Sequence, residues 1–152
     1  MAFKTNKGFT LIELILVIAL IAIMAAVAVP TVSSFSNRAQ LDSTTDELRS
    51  ALRLAQQRAM AVNQDSAFGV YFDDGNKKFY IFRGANYGDF PAENVEFSYS
   101  GSLTISQSFV GNEVDFDKLY GTTSDTGTIS INSSIGLSES IDVSALGKIE
   151  RN

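Results

Sequence analysis

An apolar run near the start of the chain constrains the structure more than any other feature. From Phe9 to Val29 there are 21 residues, and only Thr10 and Glu13 are not apolar. As a helix rising about 1.5 Å per residue, the run would span roughly 31 Å, which matches the thickness of one bilayer core. The run therefore predicts a membrane-spanning helix.

Basic residues flank this run on one side only. Lys4 and Lys7 precede it, and no basic residue follows before Arg38. The positive-inside rule therefore predicts a cytoplasmic N terminus and an exported remainder. We expect a protein that crosses the inner (cytoplasmic) membrane once, with its C-terminal domain outside the cytoplasm.

Glu13 is the unusual residue of the run. A carboxylate placed centrally in a membrane costs about 2.5–3.5 kcal/mol on insertion scales, so an intramembrane acid indicates a function and needs a partner. A secretory signal is the main alternative, since Ala26-Val27-Ala28 fits a small-x-small cleavage site and would leave a mature chain beginning at Val29. However, the run is longer than the roughly 7 to 15 apolar residues of a secretory signal.

The residues that open the run resemble a known processing signal. Lys7-Gly8-Phe9-Thr10-Leu11-Ile12-Glu13, followed by the apolar helix, is similar to the class III signal of type IV pilins and type II secretion pseudopilins. The resemblance implies that a prepilin peptidase removes the leader, residues 1–8, by cutting after Gly8. It also implies that Phe9 is N-methylated and that the apolar segment, residues 9–30, stays on the mature protein.

The same resemblance suggests a partner for Glu13. Cleavage creates a charged amino group on Phe9 of each subunit, and a staggered neighbour in a helical stack brings that group close to Glu13. Such an ion pair offsets the cost of a carboxylate in hydrocarbon and favours one register over others. Pro30 agrees with the family, in which a proline commonly follows the membrane half of the helix, and we expect it to bend or loosen the helix there.

The exported part lacks the residues of most catalytic and metal sites. The chain has no histidine and no cysteine, which removes the commonest general base, the commonest zinc ligands and any disulfide. From Thr31 onward, 10 Lys plus Arg stand against 16 Asp plus Glu, giving a formal charge of −6. We therefore expect no enzyme, no cofactor, no metal and no nucleic-acid partner, because an acidic surface repels phosphates.

An amphipathic helix is predicted over residues 31–63. Its apolar face carries Leu41, Leu48, Leu52, Ala55, Ala59 and Val62, at helical spacings. The opposite face carries Arg38, Asp42, Asp46, Arg49, Arg53 and Arg58. We interpret these charges as a solvated face, with salt bridges between subunits as the alternative.

Residues 64–152 have the pattern of an antiparallel β-rich domain, with short β-branched and aromatic runs between turn residues. Strands are predicted at 67–72, 78–83, 95–99, 103–109, 113–116, 127–131, 140–143 and 148–150. The predicted fold is α+β, with a long N-terminal helix packed on an antiparallel sheet. The aromatic residues of the first strands are interpreted as core, with base stacking as a minor alternative.

Two acidic motifs each have a functional alternative to their structural interpretation. Residues 73–76, Asp-Asp-Gly-Asn, are predicted to form a hairpin turn, because they are typical turn residues between two strands. A calcium-binding loop is the alternative, but the spacing does not fit the EF-hand pattern. Asp115 and Asp117 lie two apart on a predicted strand and would share a face, as a catalytic acid pair does. We interpret them as the polar side of a half-buried strand.

The C-terminal segment resembles one branch of the family. Val114-Asp115-Phe116 with Gly121, then 127–131, 141–143 and Gly147-Lys148-Ile149, is similar to the C-terminal domain of GspH/FimT-type minor pilins. The resemblance implies a minor pseudopilin or minor pilin, at or near the tip of a filament of other pilins, working with the inner-membrane assembly platform. A major pilin, or a DNA-binding minor pilin in DNA uptake, remains the alternative.

Overall fold

The chain folds into one long helix and eight strands over the part that is described. The computed structural model describes residues 8–152, with residues 26–34 described by their backbone alone. The helix is α1 (Leu11–Met60), and the strands follow it in the chain. This architecture confirms the predicted α+β class. Of the predicted leader, only Gly8 lies among the described residues.

Helix α1 contributes to two compact units, one ending at Ser36 and one formed by residues 37–152. The backbone is assigned as helical through position 30, and the bend expected at Pro30 stays a prediction. Among the residues that the structure describes, no helix is both long enough and apolar enough to cross a membrane. The division into segments 1–8, 9–30, 31–63 and 64–152 likewise stays a prediction.

All eight predicted strands are present, with ends that differ from the predicted ones by two residues or fewer. They are β1 (Phe68–Asp73), β2 (Lys78–Arg83), β3 (Val95–Ser98), β4 (Leu103–Gln107), β5 (Glu113–Phe116), β6 (Gly127–Ser133), β7 (Ser138–Val143) and β8 (Ile149–Arg151). The alternation of apolar and polar residues locates them well, because these antiparallel strands, apart from the largely exposed β3, bury one face or both.

The strands form two antiparallel sheets of four. The first sheet has the order β3-β2-β1-β5 and the second has the order β4-β6-β7-β8. In the first sheet Val70 lies opposite Ile81, and in the second Ile105 lies opposite Ile131, and all four belong to one core cluster. Each sheet therefore places one apolar face toward a shared core.

The core joins the second half of α1 to both sheets. The predicted helix face is buried at Leu41, Leu48, Leu52, Ala55 and Ala59 and belongs to the same cluster as Val70, Phe79, Ile105 and Ile141. Val62 is an exception: the helix ends at Met60, and Val62 has a left-handed backbone with φ 53°. Thr45 is fully buried as well, and its hydroxyl is satisfied there because it donates to the Leu41 carbonyl at 2.8 Å.

A second, smaller apolar cluster lies on the other face of the first sheet. Phe82 is fully buried there and meets Tyr87 edge-on, with ring centroids 6.3 Å apart. A Cβ added to Gly69 would lie 2.5 Å from the Phe82 ring, so only glycine leaves room for that ring. The phenylalanines of β1 and β2 are therefore buried, as predicted, but on both faces of the sheet, whereas Tyr71 and Tyr80 are only half-buried.

Asp74 ties the two sheets together. It lies in the turn between β1 and β2, which confirms the predicted hairpin, and it accepts hydrogen bonds from the Tyr99 hydroxyl at 2.7 Å and the Ile105 amide at 2.8 Å. Burial raises the pKa of Asp74, but hydrogen bonds from Tyr99, Ile105 and Lys77 outweigh that effect and leave it below its usual value.

Two side chains fasten α1 to later parts of the chain. The Gln56 amide donates to the carbonyls of Gly121 at 2.9 Å and Gly147 at 2.7 Å. Arg151, on β8, donates to Asp42 and Asp46 on α1 and to Glu139 on β7. Asp42 and Asp46, which were predicted to lie on a solvated helix face, thus form salt bridges within the chain.

We predict that Arg151→Met lowers the free energy of unfolding by about 1 to 2 kcal/mol, because three carboxylates lose their shared cation at a partly exposed site. Urea unfolding of the full chain in detergent, followed by tyrosine fluorescence, measures the loss. Arg53→Met is the matched control, since Arg53 is exposed and has no carboxylate partner among the described residues. Equal losses in the two variants would contradict the role of Arg151.

Candidate functional site

The N-terminal segment begins with a capped helix. Thr10 precedes α1, its carbonyl accepts from the Leu14 amide at 3.2 Å, and its hydroxyl accepts from the Glu13 amide at 3.4 Å. A threonine in this position satisfies an amide that the first turn leaves without a partner. The helix thus starts two residues after Phe9, next to the predicted cleavage point.

The first turns of α1 are apolar and uncovered. The large apolar side chains of this segment are 42% to 83% exposed. They are Phe9, Leu11, Ile12, Leu14, Ile15, Leu16, Val17, Ile18, Leu20, Ile21, Ile23 and Met24. A continuous apolar surface of this extent is stable only when lipid or other protein covers it. The segment is therefore an interaction surface.

Glu13 lies on this apolar surface. Its side chain is exposed, and within the described residues it forms no ion pair. The lysines that precede it in the sequence, Lys4 and Lys7, lie outside the described residues. A partner for its carboxylate in an apolar environment therefore has to come from another molecule or from the chain's own N terminus.

Gly8 is open on all sides. A Cβ added there would meet no atom within 4 Å among the described residues, and no positive φ is recorded for it. The fold of residues 8–152 therefore gives no reason for a glycine at this position. Recognition by another protein is a requirement that can explain it. The roles predicted for Gly8, Phe9, Glu13 and Pro30 stay predictions.

The second candidate site is the acid pair of β5, and the structure changes its membership. Asp117 lies just beyond β5, and its carboxylate accepts from the Thr122 hydroxyl at 2.9 Å. The closer partner of Asp115 is Asp125. Burial, and then the hydrogen bond and charge of Asp125, raise the pKa of Asp115 to about 6. Asp115 is thus half-buried, beside a second carboxylate that disfavours its charged form.

This pair lacks the other parts of a catalytic site. Thr123 is buried, and its hydroxyl accepts from the Asp125 amide at 3.0 Å and so orders the loop. Within the described residues, no group of three acidic side chains is arranged to hold a metal ion. The structural interpretation of the acids near β5 therefore fits the geometry better than a catalytic one.

Sequence reasoning missed the polar residues that hold the domain together. Gln56 and Arg151 act across separations of 65 to 109 residues, so that no local pattern reveals them. Asp74 was recognised only as part of a turn. Its contacts with Tyr99 and Ile105 depend on how the two sheets meet.

Comparisons with known proteins agree on both parts of the chain. Residues 3–29 match the family model of the prokaryotic N-terminal methylation motif. The type IV minor pilin FimU of Pseudomonas aeruginosa is similar in structure, with a TM-score of 0.60 and 20% identity over 74% of this chain and 92% of that one. No curated protein sequence matches the chain significantly.

The minor pseudopilin EpsH of the type 2 secretion system of Vibrio cholerae is also similar. Its TM-score is 0.57 and its identity is 11%, over 74% of this chain and 96% of that one. At these identities the likeness shows a shared fold. Together with the methylation motif, it supports membership of the type IV pilin and pseudopilin superfamily.

We predict that Asp115→Asn stabilises the protein at pH 7 by on the order of 1 kcal/mol and has little effect near pH 4. Because its pKa is about 6 in the folded state, Asp115 becomes protonated at a higher pH in the folded protein than in the unfolded chain. Its ionisation thus costs stability above pH 6, and this cost disappears as the pH falls toward 4.

Urea unfolding of both proteins at pH 4 and pH 7 tests this prediction, and Glu47→Gln, at an exposed position of α1, is the control. A variant less stable than the parent at pH 7 would show that the carboxylate stabilises the fold instead.

Proposed function

We propose that this superfamily member is a minor filament subunit, matured by a prepilin peptidase and assembled with other pilins into a type II secretion pseudopilus or a type IV pilus. One observation carries the proposal: the methylation motif overlaps the uncovered apolar first part of α1, in which Glu13, five residues after Gly8, is the single acid between Phe9 and Val29. The globular unit then serves as the part exposed on the filament.

The proposed maturation creates the assembly site. Cleavage after Gly8 frees the amino group of Phe9, and methylation leaves that nitrogen positively charged. In a stack of α1 helices, Glu13 of one subunit then forms an ion pair with the Phe9 ammonium group of the next subunit. A misplaced neighbour leaves both charges unpaired in an apolar environment, which costs several kcal/mol, so the pair selects one register.

We place the chain in the GspH/FimT-type branch of minor subunits. The fold shared with a minor pilin and with a minor pseudopilin supports this assignment, as does the late β6–β8 segment that resembles the branch. A location at or near the filament tip is the corresponding proposal. The major-pilin alternative predicts instead that the chain is abundant in sheared filaments, whereas a minor subunit is scarce.

The charges of the globular unit argue against DNA binding. The two cations closest to the end of the sequence are both engaged, Arg151 with three carboxylates and Lys148 with Glu150 at 2.6 Å. The formal charge of −6 from Thr31 onward repels a phosphate backbone as well. Tight, salt-sensitive retention of the full chain on duplex DNA would support the DNA-uptake alternative.

The proposal includes a membrane stage. Before assembly, the apolar half of α1 anchors the precursor in the inner membrane, with the globular unit outside the cytoplasm. The prepilin peptidase and the assembly platform are the partners of this stage. Extraction into the filament then replaces lipid by neighbouring helices around the same apolar surface.

We predict that Glu13→Leu and Glu13→Gln reduce the filament-associated fraction by at least about tenfold, because losing one partner of a buried ion pair costs about 3–5 kcal/mol. Membrane insertion should be unchanged or improved. Immunoblots of sheared filaments and membrane fractions measure both quantities. Gln tests the charge alone, since its side chain is nearly isosteric with Glu.

Glu47→Leu is the matched control, because Glu47 is an exposed acid of α1 without an ion-pair partner among the described residues. Normal incorporation of both Glu13 variants would refute the docking role.

We predict that Gly8→Val blocks maturation and leaves a precursor heavier by residues 1–8, which mass spectrometry detects. The folded unit should be unaffected, since nothing described lies within 4 Å of the added Cβ. Gly101→Ala, at an equally open position, is the control and should mature normally. A mature chain beginning at Val29 in the parent protein would contradict the proposal and favour secretory cleavage.

A further inference from the structure

A cavity of about 230 Å³ lies beside the end of α1, at the start of the β1–β2 ladder. Its lining combines charged or amide side chains with apolar ones. The lining residues are Arg58, Asn63, Gln64, Phe68, Ile81, Phe82, Arg83 and Glu93. This volume is below the roughly 300–1,000 Å³ of pockets for drug-sized ligands, but it is large enough for a side chain.

Two arginines converge on this cavity around one aromatic ring. The guanidinium of Arg58 lies 5.9 Å from the centre of the Phe68 ring, and Arg83 is the register partner of Phe68 across the β1–β2 ladder. Both residues line the cavity. Its walls therefore carry two permanent positive charges.

Neither arginine is fully satisfied within the described residues. Arg58 is half-buried and has no hydrogen bond or salt bridge, only its contact with Phe68. Arg83 donates to Glu93 at 3.1 Å and to the Gln64 carbonyl at 3.2 Å, but its Nε is buried and has no acceptor. A buried donor without an acceptor costs about 1–3 kcal/mol.

The end of α1 does not account for Arg58. A basic residue in a last turn often binds the final helix carbonyls. Here the Ala59 carbonyl accepts from the amides of Val62 and Leu119, and the Gln57 carbonyl accepts from the Ala61 amide. These carbonyls are satisfied without the arginine, whose guanidinium is left available to a ligand.

The charges and walls define the ligand. Two arginines and Glu93 give the cavity a net charge of +1, which one negative charge neutralises and a dianionic phosphate exceeds. Phe68, Ile81 and Phe82 also line the cavity, but each is at most 5% exposed, so charge is what selects the ligand. We propose that the cavity binds the carboxylate of an acidic side chain from another polypeptide, held by the unpaired guanidinium of Arg58 beside the positive charge of Arg83.

This site does not depend on the proposed filament function. Its residues lie between positions 58 and 93, within the compact unit formed by residues 37–152. Failure of the Glu13 and Gly8 predictions would leave it untouched, and its own failure would leave them untouched.

Arginine-selective nitrogen labelling gives a direct test, because the chain has six arginines. The full-length protein in detergent is titrated with the blocked tripeptide acetyl-Gly-Glu-Gly-amide, and the Nε–Hε signals are followed by NMR. We expect saturable shifts of the Arg58 and Arg83 signals and little change for the exposed Arg38 and Arg53. The glutamine tripeptide should cause no saturable shift.

Variants and a second anion complete the test. Arg58→Gln should weaken binding of the glutamate peptide about tenfold or more, as expected for loss of a charge-assisted hydrogen bond. Arg53→Gln, on the exposed side of the same helix, should leave it unchanged. The signals of the remaining arginines report whether each variant keeps its fold.

The proposal is overturned if the glutamate peptide gives no saturable shift, or if Arg58→Gln binds like the parent. Inorganic phosphate binding as tightly as the peptide, in competition for the same two signals, would also overturn it, because the cavity would then be a general anion site.

Discussion

The packing of α1 against two sheets is the interaction on which the globular unit depends. Each four-stranded sheet has an apolar face that water would destabilise, and Leu48, Leu52, Ala55 and Ala59 cover those faces together. Alanine near the end of the stripe permits close approach of the strands. Polar contacts then fix what the apolar core leaves free: Asp74 joins sheet to sheet, Gln56 joins helix to loops, and Arg151 joins the last strand to the helix.

Periodicity in the sequence predicts the elements of this fold because burial imposes it. The leucines of α1 recur at helical spacing, and the strands alternate, as an antiparallel sheet with one buried face requires. The helix end was predicted less well. Val62 continues the apolar stripe, but its left-handed backbone places it beyond the helix, and nothing in the local sequence distinguishes it from Ala59. Phe82 lies on the outer face of the first sheet and is buried only because Gly69 makes room.

The candidate sites likewise differ in how far the local sequence predicts them. Gly8, Phe9 and Glu13 form a contiguous motif, so sequence alone suffices to propose their roles. The Arg58–Arg83 cavity is lined by two arginines that lie 25 positions apart, on α1 and on β2. The pairing of β1 with β2 places Arg83 opposite Phe68. The acids of α1 show the limit of a helical wheel: it places Asp42 and Asp46 on the solvent side, whereas Arg151, more than 100 positions away, pairs with both. A single sequence carries no local signal for such contacts.

The start of α1 at Leu11 has an electrostatic consequence for assembly. A helix macrodipole is positive at its N-terminal end, so an ammonium on Phe9 would lie where its own helix repels it, at a cost of about 0.3–1 kcal/mol. Thr10 relieves one amide of the first turn, and Glu13, the acid of that turn, offsets part of the dipole in its own chain. Proteolytic maturation would thus add a cation that competes with the helix end for this one acid, and an adjacent subunit's acid would supply a second negative charge. A lone processed subunit would then be electrostatically poised to polymerise.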